Sequence, residues 1–128
     1  MKLFEIDDDV LKYKKWKELI NLSDSELQKF IDSDLGKEAG ISKETASDLK
    51  ISRGRDSARA IIRMRNKPFK DWSDLDKQWM NKQISFVSRM LGNQGPFIKD
   101  EKPSRKLTSL WIWGHMPNNL KPSAYINA

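Results

Sequence analysis

Residues 52–72 read SRGRDSARAIIRMRNKPFKDW, and this stretch sets the order of helix and turn in the middle of the chain. Its Ala-Ile-Ile core has helical spacing, which predicts a helix from about Gly54 to Asn66. Pro68 ends that helix, because a proline pushes the preceding residue out of the α-helical region. The stretch therefore predicts one amphipathic helix followed by a tight turn.

The outer face of this helix is basic. Arg55, Arg59 and Arg63 recur every four residues, so each lies about one turn above the last. Neighbouring like charges of this kind repel by roughly 0.2–0.5 kcal/mol per pair unless an anion lies opposite. The row is predicted to face either a polyanion such as nucleic acid or acidic side chains from the first fifty residues.

Charge is divided unevenly along the 128 residues, whose net charge is +6. Residues 1–50 hold nine lysines against twelve acidic residues, a net charge of −3. Residues 51–128 hold fifteen basic residues against six acidic ones, a net charge of +9, together with every arginine of the chain. A polarised basic half is expected of a protein that binds a phosphate-rich partner.

Composition bounds the class of protein. A chain of 128 residues with 38% hydrophobic residues and five tryptophans is expected to form one domain. The absence of cysteine excludes a disulfide scaffold and Cys-ligated zinc. No apolar run approaches the roughly 18 residues of a membrane span, and no signal peptide is evident. We expect a cytoplasmic protein with no membrane partner, in which residues 1–128 form one domain: an acidic helical half at 1–50, a basic half at 51–115 and an extended tail at 116–128.

Periodicity and capping patterns predict an all-α fold of five to six short helices with an irregular C-terminal tail. Acidic residues favour a helix start at Asp7, and Ser23 with Glu26 has the pattern of a capping box. Ser73 caps a further helix, and residues 104–113 favour a helix but leave a strand open. Besides the helix predicted from about Gly54 to Asn66, the predicted helices span about 7–20, 23–36, 40–51, 73–92 and 104–113.

The helix that starts after Ser73 is the longest predicted element, and Gly92 is its predicted left-handed stop. Its apolar residues predict the side that faces the core. The residues expected on that side are Leu75, Trp79, Ile84, Phe86, Val87 and Met90.

Residues 52–76 resemble the second half of a helix-hairpin-helix unit of competence DNA receptors. In that family a glycine hairpin precedes a helix with an Ala-x-Ala-Ile-Ile core, a Pro-Phe-Lys turn and a helix that opens on Asp-Leu. The chain departs from the pattern at Ser52, where the family's first hairpin glycine is usual. The matching residues are Gly54, Ala58, Ala60, Ile61, Ile62, Pro68, Phe69, Lys70, Asp74 and Leu75.

The resemblance implies that DNA phosphates are bound without reading the base sequence. In that family, backbone N–H groups of the hairpin hold a phosphate at a helix N-terminus. Carried over to this chain, those groups are the amides of Gly54 and Arg55. Together with the basic side chains nearby, the predicted nucleic-acid-binding residues are Arg53, Gly54, Arg55, Arg59, Arg63, Arg65, Lys67 and Lys70.

A second resemblance covers residues 79–115. The turn RMLGNQGP and the later SRK before a Trp-Gly pair are similar to small uncharacterised proteins of bacteriophages. This resemblance implies a phage-encoded protein and imports no activity.

No catalytic residue, metal site or cofactor is predicted. His115 is the only histidine, and with no cysteine it has no partners for a usual metal site. Trp111 and Trp113, beside Arg105 and Lys106, are expected either to close the edge of the core or to stack single-stranded bases.

These observations favour a small non-catalytic nucleic-acid-binding protein, with DNA as a more favoured partner than RNA. The alternative is a virion structural protein or a protein-interaction module, such as an inhibitor of a host factor, that self-associates or binds a protein partner. A metal-dependent nuclease built on the scattered acidic residues is a third hypothesis.

Overall fold

A computed structural model of the chain describes residues 8–39 and 53–126, and it confirms the all-α fold. The predicted helix at 40–51 lies outside the described residues. The helices are α1 (Asp8–Leu19), α2 (Asp24–Asp32), α3 (Asp34–Ala39), α4 (Arg53–Arg65), α5 (Asp74–Gly92), α6 (Arg105–Ile112) and α7 (Ser123–Ile126). Two short strands, β1 (Ile98–Lys99) and β2 (Lys102–Pro103), form an antiparallel pair between α5 and α6.

The second predicted helix is divided into two. Ser23 caps α2 as predicted, since its hydroxyl accepts the Glu26 N–H at 3.2 Å. The expected stop at Gly36 is wrong, because α2 ends before Ser33 and Gly36 lies within α3. The Ser33 hydroxyl donates to Phe30 O at 2.6 Å and accepts the Gly36 N–H at 3.0 Å, which joins the two helices. A Cβ at Gly36 would collide with the Phe30 carbonyl, so glycine is required there for close packing.

The core lies between α6 and the helices that surround it. Helix α6 contacts α2, α3, α4 and α5, while α1 packs along α5. The predicted helix at 104–113 is confirmed as α6, with Ser104 as its cap. Buried hydrophobic residues at the centre include Leu27, Phe30, Ile61, Met64, Met80, Leu107, Leu110 and Trp111.

The buried side of α5 differs from the predicted one. Leu75 is 57% exposed, and Trp79, Ile84, Phe86 and Met90 are only partly buried. Among the residues predicted inward, Val87 alone is fully buried. The spacing of apolar residues predicted the wrong buried side for α5, because that helix buries two polar side chains. The residues that face inward are Asp76, Met80, Gln83 and Val87.

Hydrogen bonds to two other helices explain why Gln83 is buried. Its side-chain oxygen accepts the Trp16 Nε1–H at 2.7 Å, and its amide donates to the Ser57 hydroxyl at 3.0 Å. These bonds join α1, α4 and α5, so the polar side chain is buried with its groups satisfied.

The predicted left-handed stop at Gly92 is also wrong. Gly92 is the last helical residue of α5, and the cap that follows, Asn93, has extended backbone angles. Among the described glycines, the left-handed backbone is found at Gly95 and Gly114. At Gly114 φ is +89°, and a Cβ would lie 2.7 Å from a side-chain carbon of Ile20.

The C-terminal segment is structured over residues 116–126, not extended as predicted. Pro117–Asn119 form a 3-10 helix, and α7 follows. The Trp111 Nε1–H donates to Leu120 O at 2.7 Å, and the Tyr125 ring lies 5.8 Å from the Trp111 ring. The prolines and asparagines of the segment favour turns and extended chain, and its local pattern does not show the contacts with Trp111 that hold it in place.

Candidate nucleic-acid interface

Helix α4 separates its side chains into two faces. The inward face packs Ala58, Ala60, Ile61 and Met64 into the core. The outward face carries Arg55, Arg59 and Arg63, which we call the arginine row. Spacing of four residues places the row along one side of the helix.

Arg59 is the most accessible described member of the arginine row. Its side chain is 60% exposed, compared with 49% for Arg63, and Arg55 is partly buried. Arg59 lies 3.9 Å from the Asp56 carboxylate, one turn earlier in the same helix. A long ion pair between exposed side chains contributes little stability, so Arg59 remains able to meet an external anion.

Arg65 has a structural role. Its guanidinium donates to the carbonyl oxygens of Ile20 and Leu22 and to the Asp24 carboxylate, the last at 2.8 Å. Its side chain is only 21% exposed. Because α1 ends at Leu19, these bonds tie the connection between α1 and α2 to the last turn of α4. The sequence placed Arg65 among the phosphate contacts, but its donors are directed into the protein.

Arg63 and Lys67 share one buried carboxylate. Asp76 is 2% exposed, and its two oxygens lie 3.0 Å from an Arg63 nitrogen and 2.5 Å from Lys67 Nζ. The Ser73 N–H also donates to Asp76 at 3.0 Å, and the Ser73 hydroxyl accepts the Asp76 N–H, which completes a capping box.

The electrostatics of this cluster favour a charged Asp76. Burial alone would raise the pKa of Asp76, but the hydrogen bonds from Lys67, from the Ser73 N–H and from Arg63 lower this pKa well below its usual value of 3.8. Two cations on one carboxylate leave an excess of one positive charge at the surface. Arg63 and Lys67 are therefore both structural groups and, through their exposed parts, members of a basic surface.

The remaining predicted site residues lie at the two ends of α4. Arg53 is the first residue of α4, and Gly54 is buried in its first turn. Ser52 lies outside the described residues, so the hairpin implied by the resemblance is not described as a whole. Lys70 is exposed in the 3-10 helix Phe69–Asp71 that follows Pro68.

Aromatic contacts hold this turn in place. The Trp72 Nε1–H donates to Met64 O at 3.0 Å. The Phe69 ring stacks on Tyr13 of α1, with 4.4 Å between the ring centroids and 15° between the planes. Lys70 is thus carried by a rigid turn next to the arginine row.

A second surface was predicted only in part, because, of its three rings, the sequence offered Trp113 alone for base stacking. Trp79 and Phe86 of α5 and Trp113, just after α6, form what we call the α5 aromatic surface. Phe86 and Trp113 stack with 4.4 Å between centroids and 17° between planes, and Trp79 lies 6.5 Å from Trp113 at 52°. All three rings are partly exposed, whereas Trp111 is fully buried. Of the two tryptophans predicted to close the core or stack bases, Trp111 therefore belongs to the core and Trp113 to the surface.

Two further properties of the described residues bear on function. Within residues 8–39 and 53–126, no group of three or more His, Cys, Asp or Glu side chains is placed to hold a metal ion. None of the helices described combines the length and the apolar character that crossing a bilayer requires. His115, the single histidine, is buried beside the connection between α1 and α2, with Nδ1 2.6 Å from Leu19 O.

Comparison with known proteins relates the chain to one family. No curated protein and no solved structure is significantly similar to it. A family model described as "protein of unknown function (DUF3140)" matches residues 15–111, which include the arginine row and two of the three rings of the α5 aromatic surface. Because the match covers three quarters of the 128 residues, the chain belongs to the DUF3140 family.

Proposed function

We propose that the protein binds the phosphate backbone of nucleic acid through the solvent face of α4 and the turn that follows it. The observation that carries the proposal is the arginine row, with Arg59 60% exposed at its centre. Arg55 and Arg63 lie one turn away on either side, and Lys67 and Lys70 continue the basic surface into the turn.

The local charge supports a polyanionic partner. Residues 53–72 hold seven basic and two acidic residues, a net charge of +5, on one helix and one turn. Contacts within the fold explain why Arg65 is present, and they partly explain Arg63 and Lys67, which bind Asp76. They do not explain the exposed Arg59 and Lys70. Contacts of this kind attract phosphates and read no base sequence. The preference for DNA over RNA rests on the helix-hairpin-helix resemblance alone and is part of the proposal.

The test is a fluorescence-anisotropy titration with labelled single- and double-stranded DNA and RNA at about 50 and about 200 mM salt. The variant Arg59→Glu with Lys70→Glu reverses two exposed charges that make no buried contact. We expect its affinity to fall at least about tenfold at the lower salt, and the slope of log affinity against log salt to become shallower by about two.

A matched control separates local contacts from net charge. Lys29→Glu with Lys121→Glu makes the same change in net charge at two exposed lysines outside α4 and its turn. We expect this control to bind more tightly than the Arg59 and Lys70 variant. Equal losses in the two double variants would show that the arginine row is not the binding surface.

The interaction-protein alternative remains a prediction that the same samples test. The large hydrophobic residues exposed in the described structure are Leu11, Leu75 and Leu91. Leu75 and Leu91 lie at opposite ends of α5, about 24 Å apart along the helix. Absence of nucleic-acid binding at low salt, together with a salt-sensitive oligomer in light scattering, would favour that alternative.

A further inference from the structure

We propose that the α5 aromatic surface stacks the bases of single-stranded nucleic acid. This inference rests on the proposed function and deepens it, because it names the single strand as the favoured form of the partner. The phosphate contacts of α4 do not by themselves distinguish a single strand from a duplex. Aromatic rings make that distinction, since bases in a duplex are already stacked on their neighbours.

The geometry of the surface suits stacking. Trp79 and Phe86 are seven residues apart, which places them on one side of α5 about 10 Å apart along its axis. Trp113 reaches this side from the end of α6 and stacks on Phe86. Because α5 and α6 are packed together, the three partly exposed rings are held in position before any ligand arrives.

Basic side chains alternate with these rings. Lys82 Nζ lies 5.5 Å from the centre of the Trp79 ring, and the Arg89 guanidinium lies 5.9 Å from the centre of the Phe86 ring. Both cations belong to exposed side chains, and the rings that they cover are themselves partly exposed. A base that takes the place of the cation leaves the charged group free to meet the adjoining phosphate.

The surface has the charge that a nucleic-acid strand requires. No Asp or Glu occurs in residues 77–99, and two of the four basic residues of this segment, Lys82 and Arg89, lie beside the rings. This acid-free segment was the signal in the sequence that could have indicated the surface. The spacing of apolar residues instead predicts that Trp79 and Phe86 face the core.

A second aromatic pair provides the contrast. Tyr13 and Phe69 also stack, and Lys17 and Lys77 lie over their rings. There, however, Lys77 is paired with Asp9 at 3.3 Å, so that surface carries a carboxylate. Charge complementarity therefore favours the α5 aromatic surface as the place where bases stack.

The experiment compares oligothymidylate of about 16 nucleotides with a DNA duplex of equal length. The variants are Trp79→Leu and Trp113→Leu, and Tyr125→Leu is the matched control, because Tyr125 is a partly exposed aromatic residue outside both proposed binding surfaces. We expect each tryptophan variant to bind the single strand about tenfold more weakly, with duplex affinity and salt slope unchanged. Tyr125→Leu is expected to leave both affinities unchanged.

A measurement on the unaltered protein makes the test independent of variant folding. Photocrosslinking to an oligonucleotide that contains 5-iododeoxyuridine marks the aromatic residues that touch bases. Trypsin separates the three rings into peptides 78–82, 83–89 and 107–128, and we expect crosslinks in these peptides. Crosslinks confined to other peptides would overturn the inference.

The outcomes separate this inference from the proposed function. If the Arg59 and Lys70 variant loses affinity while the tryptophan variants bind the single strand normally, the phosphate surface stands and base stacking on α5 is refuted. Equal loss of single-strand and duplex binding in the tryptophan variants also refutes stacking. If the unaltered protein binds no nucleic acid at low salt, both proposals fail.

Discussion

Replacement of Arg65 by methionine tests whether the basic residues of 52–72 have two different roles, one in stabilising the fold and one in binding a partner. Methionine keeps an unbranched apolar side chain against the core and removes the guanidinium. The change deprives the carbonyl oxygens of Ile20 and Leu22 and the carboxylate of Asp24 of their shared donor. The connection between α1 and α2 then loses its tie to α4.

The magnitude follows from the number and kind of these bonds. A hydrogen bond to a charged group is worth about 1.5–3 kcal/mol, and unpaired buried acceptors add their own desolvation cost. The contact with Asp24, a partly exposed residue, adds at most about 1 kcal/mol. Because the three bonds share one group and are not additive, we expect a loss of about 3 kcal/mol in the free energy of unfolding. For a domain of this size that loss lowers Tm by about 10 °C.

The assay is urea unfolding followed by tryptophan fluorescence and circular dichroism. Arg59→Met is the matched control, because Arg59 is exposed and its ion pair with Asp56 is long. We expect the control to change the free energy of unfolding by less than about 0.5 kcal/mol. In nucleic-acid binding we expect the opposite ranking of the two variants. Arg59→Met makes the slope of log affinity against log salt shallower, while folded Arg65→Met keeps the slope of the unaltered protein. If the two variants are equally stable, the structural role of Arg65 is refuted.

Two further substitutions test the buried acid and the left-handed turn. Because contacts in the folded state lower the pKa of Asp76, the stability that this carboxylate contributes is present above its usual pKa and is lost as the pH falls from about 5 towards the lower folded-state value. We expect Asp76→Asn to lower the free energy of unfolding by about 2 kcal/mol at pH 7 and to lose less of it on acidification than the wild type does. Parallel pH profiles of the unfolding free energy in variant and wild type would contradict this. Gly114→Ala combines a positive φ with a Cβ 2.7 Å from side-chain carbons of Ile20 and Ile61, so we expect a loss of about 3 kcal/mol in thermal or urea unfolding. The control is Gly92→Ala, because Gly92 is helical and a Cβ added there meets no atom within 4 Å. We expect this control to stabilise the protein by roughly 0.5 kcal/mol. A loss of stability in both glycine variants would show that the turn at Gly114 is not special.

Local chemistry in the sequence determined where two of the helices begin and where α4 ends. Ser23 and Ser73 cap helices as their positions predicted, because a cap depends on residues within one turn. Pro68 ends α4 for an equally local reason. The all-α class follows from these signals and from the spacing of apolar residues, which need no knowledge of tertiary contacts.

The face that a helix buries depended on partners distant in the chain. Helix α5 turns Gln83 inward because Trp16 and Ser57 supply hydrogen bonds, and it turns Asp76 inward because Arg63 and Lys67 supply charge. Hydrophobic periodicity assigns polar side chains to solvent, so it rotated the predicted buried side. The same error concealed the α5 aromatic surface.

The sequence by itself determined that the second half of the chain concentrates arginine on a helix with one apolar face. Only the tertiary structure decided which of those arginines is available to a partner. Arg65 meets carbonyl groups of residues 20 and 22, more than forty positions earlier in the chain, whereas Arg59 meets solvent. In the sequence the two residues have the same chemistry, and the difference arises because folding brings acceptors to one guanidinium and leaves the other exposed.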